Sequence, residues 1–174
     1  MGLERLIELA ESSGDGLKVT GADKCIISSA NFTRPNNTDA YAISDVVGTI
    51  AATNLSFTNG ATAVNLTGAT LKLKTNAIPA GMVGFKLHLY SAAPTAIADN
   101  VAFNVIAADI DNYLGYIQLD VVDLGDNLFA QSAAINFVTR PAAATLFGVL
   151  VTDTVFTPVA QMIVSVTLRG IKCV

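Results

Sequence analysis

Beyond Asp23 the chain repeats one pattern, an apolar residue followed by a polar one. Ile26, Ser28, Ala30 and Phe32 share one parity, and Ile27, Ser29 and Asn31 the other. Leu71 and Leu73 alternate with Lys72 and Lys74, and Phe85, Leu87 and Leu89 with Lys86, His88 and Tyr90. Near the end Val164, Val166 and Leu168 alternate with Ser165, Thr167 and Arg169. Successive side chains of a strand point to opposite faces, so this period of two predicts strands with one face on a core and one toward solvent or a partner. Leu146 to Val151 is apolar on both parities, which predicts a strand covered on both faces. Asn59-Gly60, set between Leu55-Ser56-Phe57 and Ala63-Val64, predicts a hairpin turn. A turn around Ala107 to Asn112 is the one helical piece expected within this region.

The first residues follow a different period. Leu3, Leu6, Ile7 and Ala10 fall at helical spacing, with Glu4, Arg5, Glu8 and Glu11 on the other face. The spacing predicts a short amphipathic helix that stops near Ser12-Ser13-Gly14. So short a helix is marginal alone and must dock on something. Gly14-Asp15-Gly16 reads as a hinge. The expected organisation is a helical arm and hinge over residues 1–16, then a single domain over residues 17–174. That domain is expected to be all-β, an antiparallel β-sandwich or jelly roll, because strands separated by turns at short intervals build such folds. The arm's stripe, Leu3, Leu6, Ile7 and Ala10, is expected to form an interface outside its own domain.

Composition narrows the function. Of 174 residues, 52% are hydrophobic and 14% charged. A net charge of −4 with ten scattered basic residues excludes phosphate-backbone recognition, so no nucleic-acid partner is expected. Mean hydropathy is high at +0.52. Yet the most apolar stretch, Ala142 to Val151, is far shorter than the roughly 20 residues a spanning helix needs, so no membrane partner is expected either. The surplus apolar surface points to subunit contacts, as a dimer or trimer, since obligate interfaces resemble a core cut in half. The charged N-terminal residues lack the apolar run of a secretory signal, so synthesis in the cytoplasm is expected. On that basis Cys25 and Cys173 are read as reduced, partly buried thiols, although a bridge between first and last strands is geometrically feasible.

Candidate chemistry is sparse. His88 is the single histidine and lies on the polar parity of its strand, so it reads as a polar-face or interface residue. Asp109, Asp111 and Asn112 form one acidic cluster, and Asp120, Asp123, Asp126 and Asn127 another. Neither has the ligand spacing of a calcium loop, and both are explained by the turn chemistry of Asp and Asn. No motif places a base beside a serine or cysteine nucleophile. The sequence therefore predicts no catalytic residues, no cofactor and no metal.

Two stretches carry a resemblance. Phe32 to Gly48 contains Arg34, Pro35, Thr38, Tyr41, Asp45, Val46, Val47 and Gly48. It resembles the Arg-Pro-x-x-Thr-x-x-Tyr-x-x-x-Asp-Val-Val-Gly segment of small structural proteins of tailed bacteriophages. Leu87 to Asn100, with Tyr113 to Ile117 downstream, is similar to a second segment of the same proteins. The resemblance implies a capsid decoration, or cement, protein. Such a protein is a β-sandwich or jelly-roll module that sits as an oligomer on the outer capsid surface of the virion and binds the major capsid protein between capsomers. Read from the residues alone, Arg34-Pro35 fixes an extended turn. Tyr41 can bury its ring while its hydroxyl reaches a backbone partner. Asp45 is placed to order the turn into Val46-Val47. The competing expectation is a tail, neck or fibre-associated jelly roll, one that recognises carbohydrate included. The absence of tryptophan and the 7% aromatic content weigh against a sugar site.

Overall fold

A computed structural model describes residues 25–48, 52–57, 63–74, 78–125, 127–140 and 144–173. The expected helical arm with Leu3, Leu6, Ile7 and Ala10, and the Gly14–Gly16 hinge, lie outside the described residues.

The described residues form ten strands: β1 (Cys25–Thr33), β2 (Val46–Val47), β3 (Thr53–Ser56), β4 (Val64–Lys74), β5 (Gly84–Tyr90), β6 (Tyr113–Asp123), β7 (Asn127–Gln131), β8 (Phe137–Thr139), β9 (Thr145–Thr152) and β10 (Ile163–Lys172). The fold is all-β, and the described residues contain no α-helix, only a 3-10 turn at Ile110–Asn112 within the stretch expected to be helical. All strands belong to one antiparallel sheet in the order β1-β10-β4-β7-β6-β5-β9-β2, with β3 also paired to β9 and β8 to β4.

The sheet curls until its two ends meet. Phe32 in β1 reaches Gly48, just past β2, and its ring approaches Gly148 in β9. A Cβ at Gly148 would stand 2.9 Å from Leu55, 3.2 Å from Leu87 and 3.4 Å from the Phe32 ring. Glycine is what lets these three side chains close over β9. The concave side holds the main core, including Ile26, Leu71, Leu87, Leu119, Leu150 and Val166. Ile26, Leu71, Leu87 and Val166 lie on the apolar parities read from the sequence, so in these strands the period of two maps directly onto burial. In β10 the register slips between Arg169 and Gly170. A Cβ at Gly170 would lie 2.6 Å from the Asn65 carbonyl, so a side chain there would force the two strands apart.

β9 is covered on both faces, as the unbroken apolar run predicts. Its cover on the convex side is the long connection between β5 and β6, residues 91–112. That connection lays Ile97 and Phe103 over a second small core of Val46, Tyr90, Val149 and Val151.

Two expectations are corrected. The strands flanking Asn59-Gly60 do not pair with one another: β3 pairs with β9, while β4 pairs with β10, β7 and β8. The turn itself lies outside the described residues. Cys25 is exposed rather than partly buried, and both thiols are free, because Ile171 rather than Cys173 sits opposite Cys25.

Candidate functional site

The residues singled out in the first resembling stretch converge on a buried polar cluster. Arg34 follows β1 directly and is only 1% exposed. Burying a guanidinium without partners is very costly, so every donor of such a group must find an acceptor. Here Nη1 donates to the Asn37 carbonyl at 2.8 Å, and Nη2 to the Asp39 carbonyl at 2.5 Å. Nε donates to the Tyr41 hydroxyl at 3.0 Å, and the guanidinium lies 4.7 Å from the centre of the Tyr41 ring. The arginine thus wraps its own chain into the loop that Pro35 begins. The Pro35 carbonyl accepts from Asn37 and from Gln161.

Tyr41 is buried, but its hydroxyl reaches side chains rather than the backbone partner expected. It accepts from Arg34 and donates to Asp99 Oδ1 at 2.5 Å. Burial, and then the Asp99 carboxylate, push the Tyr41 hydroxyl well above its ordinary pKa and hold it protonated. Asp99 Oδ1 also accepts the Gly48 amide at 2.8 Å, while Oδ2 faces Arg34 Nε at 3.5 Å as a charge contact without a hydrogen bond.

Asp45 sits beside this cluster. Its Oδ2 accepts the Ala42 amide at 2.6 Å, closing the turn into β2, where Ser44 adopts φ 69°. With its amide nitrogen turned toward them, Asn100 donates to the Ala40 carbonyl at 2.9 Å and to Asp45 Oδ2 at 3.1 Å. Fully buried Thr152, from the end of β9, accepts the Asp45 amide and donates to the Ala42 carbonyl. The backbone of Ser44 and Val46 is bonded on one side to Thr152 and on the other to Asn100, Val101 and Phe103. Asp99, Asn100 and Thr152 were not singled out by sequence reasoning. Asp99-Asn100 closes the second resembling stretch, so the two stretches touch here, joined through Arg34, Tyr41 and Asp99.

His88 lies on the convex parity, as its position in β5 requires, but is buried rather than facing solvent or a partner. The 91–112 connection covers it. Its ring lies 3.9 Å from that of Phe103, and Nδ1 is 2.9 Å from the Tyr113 hydroxyl. Burial, with a lesser contribution from Lys86, lowers its pKa to about 4. The imidazole, held neutral, packs against the rings of Phe103, Tyr113 and Tyr116.

No family model, curated protein or solved structure matches the chain. Function therefore rests on the surfaces. Asp123 accepts the Gly125 amide within its turn, whereas Asp109 accepts the Thr95 amide and hydroxyl across the 91–112 connection and Asp120 accepts from Gln118. Among the described residues no group of three or more His, Cys, Asp or Glu side chains is placed to hold a metal ion, and no helix is long and apolar enough to cross a membrane. What the surface does offer is apolar area. Val83, Val122, Leu124, Val155, Val159 and Ile163 are all about half exposed or more, and they gather around the end of the sheet where β4, β6 and β9 finish and β5, β7 and β10 begin.

Proposed function

We propose that the chain is a structural virion protein that decorates and stabilises a bacteriophage capsid, binding as an oligomer between capsomers. The observation that carries this reading is the Arg34–Tyr41–Asp99 contact. The two stretches that resemble phage structural proteins, remote in sequence, form one buried unit. A shared fold is what such a unit preserves, and the exposed apolar rim supplies the association surface that a decoration role needs. In this reading the curled sheet is a closed-up β-sandwich of the jelly-roll kind, with β1, β10, β4 and β7 as one layer facing β6, β5, β9 and β2.

One surface favours a second reading, a tail- or fibre-associated module that binds carbohydrate. Tyr116 exposes 56% of its surface on β6. Beside it Gln118 bonds Asp120 and Asp153, and Asp153 holds Lys86 at 2.6 Å. An open aromatic ring among carboxylates and an amide suits a sugar. Immunogold microscopy of virions separates the two. Label spread over the head supports decoration, and label confined to the tail or fibres, with binding to a glycan panel lost in Tyr116→Ala, supports the second reading.

A further inference from the structure

We infer that the hollow between the lysines of β4 and the apolar end of β6 is the dock for the N-terminal segment, residues 3–11, of a second copy, and that two copies exchange these segments. The inference rests on the oligomeric reading above and names both halves of the contact. Strand register sets Lys72, Phe129 and Val122 level across β4, β7 and β6. One step further Lys74 lies opposite Asn127, whose carbonyl accepts the Leu124 amide. Neighbouring strands are about 4.8 Å apart, so a basic margin and an apolar margin face one another at about 10 Å, the width of a helix. Val122 and Leu124 on the apolar margin expose 53% and 62% of their surfaces. A hollow of about 240 Å³ opens here, lined by Leu124, Asn127, Phe129 and the two lysines. Among the described residues neither Lys72 nor Lys74 has an ion-pair partner.

An occupant of this hollow has to be apolar beneath and acidic along one flank. The start of the chain has that make-up. Read as a helix at about 100° per residue, Leu3, Leu6, Ile7 and Ala10 form the stripe. Glu4, Glu8 and Glu11 then fall within about 60° of one another on one side of it, with Leu9 and Arg5 on the other. Glu4 and Glu8 stand about 6 Å apart along such a helix, and Lys72 and Lys74 about 7 Å apart along β4. The two pairs match when helix and strand run side by side, and the single acidic flank fixes the direction. Residues 12–24, which join this segment to Cys25, span at most about 45 Å, enough to cross to another copy. Cys25 pairs with Ile171 and Thr33 with Ile163, so β1 begins at the end of the sheet remote from its own hollow. That placement favours a neighbour's hollow over its own. Exchange between two copies fills both hollows and closes, without growth into a filament.

Charge reversal on either half tests the exchange in the full chain. In Lys72→Glu/Lys74→Glu segment and hollow are both acidic, and in Glu4→Lys/Glu8→Lys both are basic. Each variant is expected to sediment as a monomer, its self-affinity lowered by at least about 100-fold. An equimolar mixture is expected to sediment at twice the 18.0 kDa chain mass, since each segment then meets a hollow of opposite charge. Recovery in the mixture also shows that both variants are folded. Leu6→Asp/Ile7→Asp, which leaves the described strands untouched, is expected to be monomeric while melting close to the wild type. A wild-type chain that is monomeric at micromolar concentration overturns the exchange, as do variants that dimerise as the wild type does. A mixture that stays monomeric overturns it too, and is the result given by a segment docked on its own domain. The decoration reading fails separately: exchanged dimers in solution with no copies in virions refute that reading alone, and virion copies with a monomeric chain refute the exchange alone.

Discussion

Arg34→Met removes a buried charge while keeping much of the side-chain volume, and its cost can be worked from the cluster. The change orphans the carbonyls of Asn37 and Asp39 and strips Asp99 of its ion-pair partner among the described residues. Removing one partner of a buried ion pair costs about 3–5 kcal/mol, because the other charge stays behind without compensation. Each unsatisfied carbonyl adds about 1–3 kcal/mol where water does not reach it. A loss of about 5 kcal/mol is expected, a large share of the roughly 5–15 kcal/mol a domain has. For a chain of this length that lowers the melting temperature by about 10–20 °C. Asp99→Asn alone is expected to cost about 3 kcal/mol, since it leaves the buried Arg34 guanidinium without a carboxylate while Tyr41 and Gly48 keep an acceptor. The double variant should be more stable than the sum of the single changes by about 1–3 kcal/mol, because the uncompensated carboxylate is gone. Urea titration of the four proteins measures this directly. An Arg34→Met protein within about 0.5 kcal/mol of the wild type, or strict additivity in the cycle, refutes the reasoning.

Two further outcomes are expected. His88 is neutral when folded down to about pH 4, whereas an unfolded histidine takes its proton near the ordinary 6.5. The unfolded chain therefore binds more protons between these values, so stability is full above about pH 6.5 and falls by about 3 kcal/mol as the pH drops toward 4. His88→Gln should flatten that part of the pH–stability curve in calorimetry, and an unchanged slope would count against a buried neutral imidazole. Deleting Met1–Ser13 removes the stripe of Leu3, Leu6, Ile7 and Ala10. We expect a chain that melts within a few degrees of the full-length protein but no longer associates with capsids; retained capsid association combined with a lower melting temperature would make the arm a stabilising plug.

The strand pattern was legible because alternation along a strand reports directly on which face is buried. Ile26, Leu71, Leu87 and Val166 all point inward as their parity requires, and the unbroken run of β9 announced its double cover. Pairing was less legible. Asn59-Gly60 is a strong local turn signal, yet β3 and β4 take distant partners, since burial against β9 and β10 outweighs the geometry of one turn. His88 looked solvent-facing because parity gives the side of the sheet and says nothing of what covers that side. Its cover, Ile97 and Phe103, sits in a connection without any period. Arg34, Tyr41 and Asp45 were visible as a motif, but Asp99 was given no role of its own within the second resembling stretch. One signal was present: an arginine in so apolar a neighbourhood needs a carboxylate, and Asp99 stands in the other resembling stretch.

The measurement that bears most directly on the decoration role is the copy number of this chain in purified virions, by quantitative mass spectrometry against the major capsid protein. Lattice decoration expects on the order of hundreds of copies per particle, in fixed ratio to the capsid subunit. A few copies, or none, would contradict it.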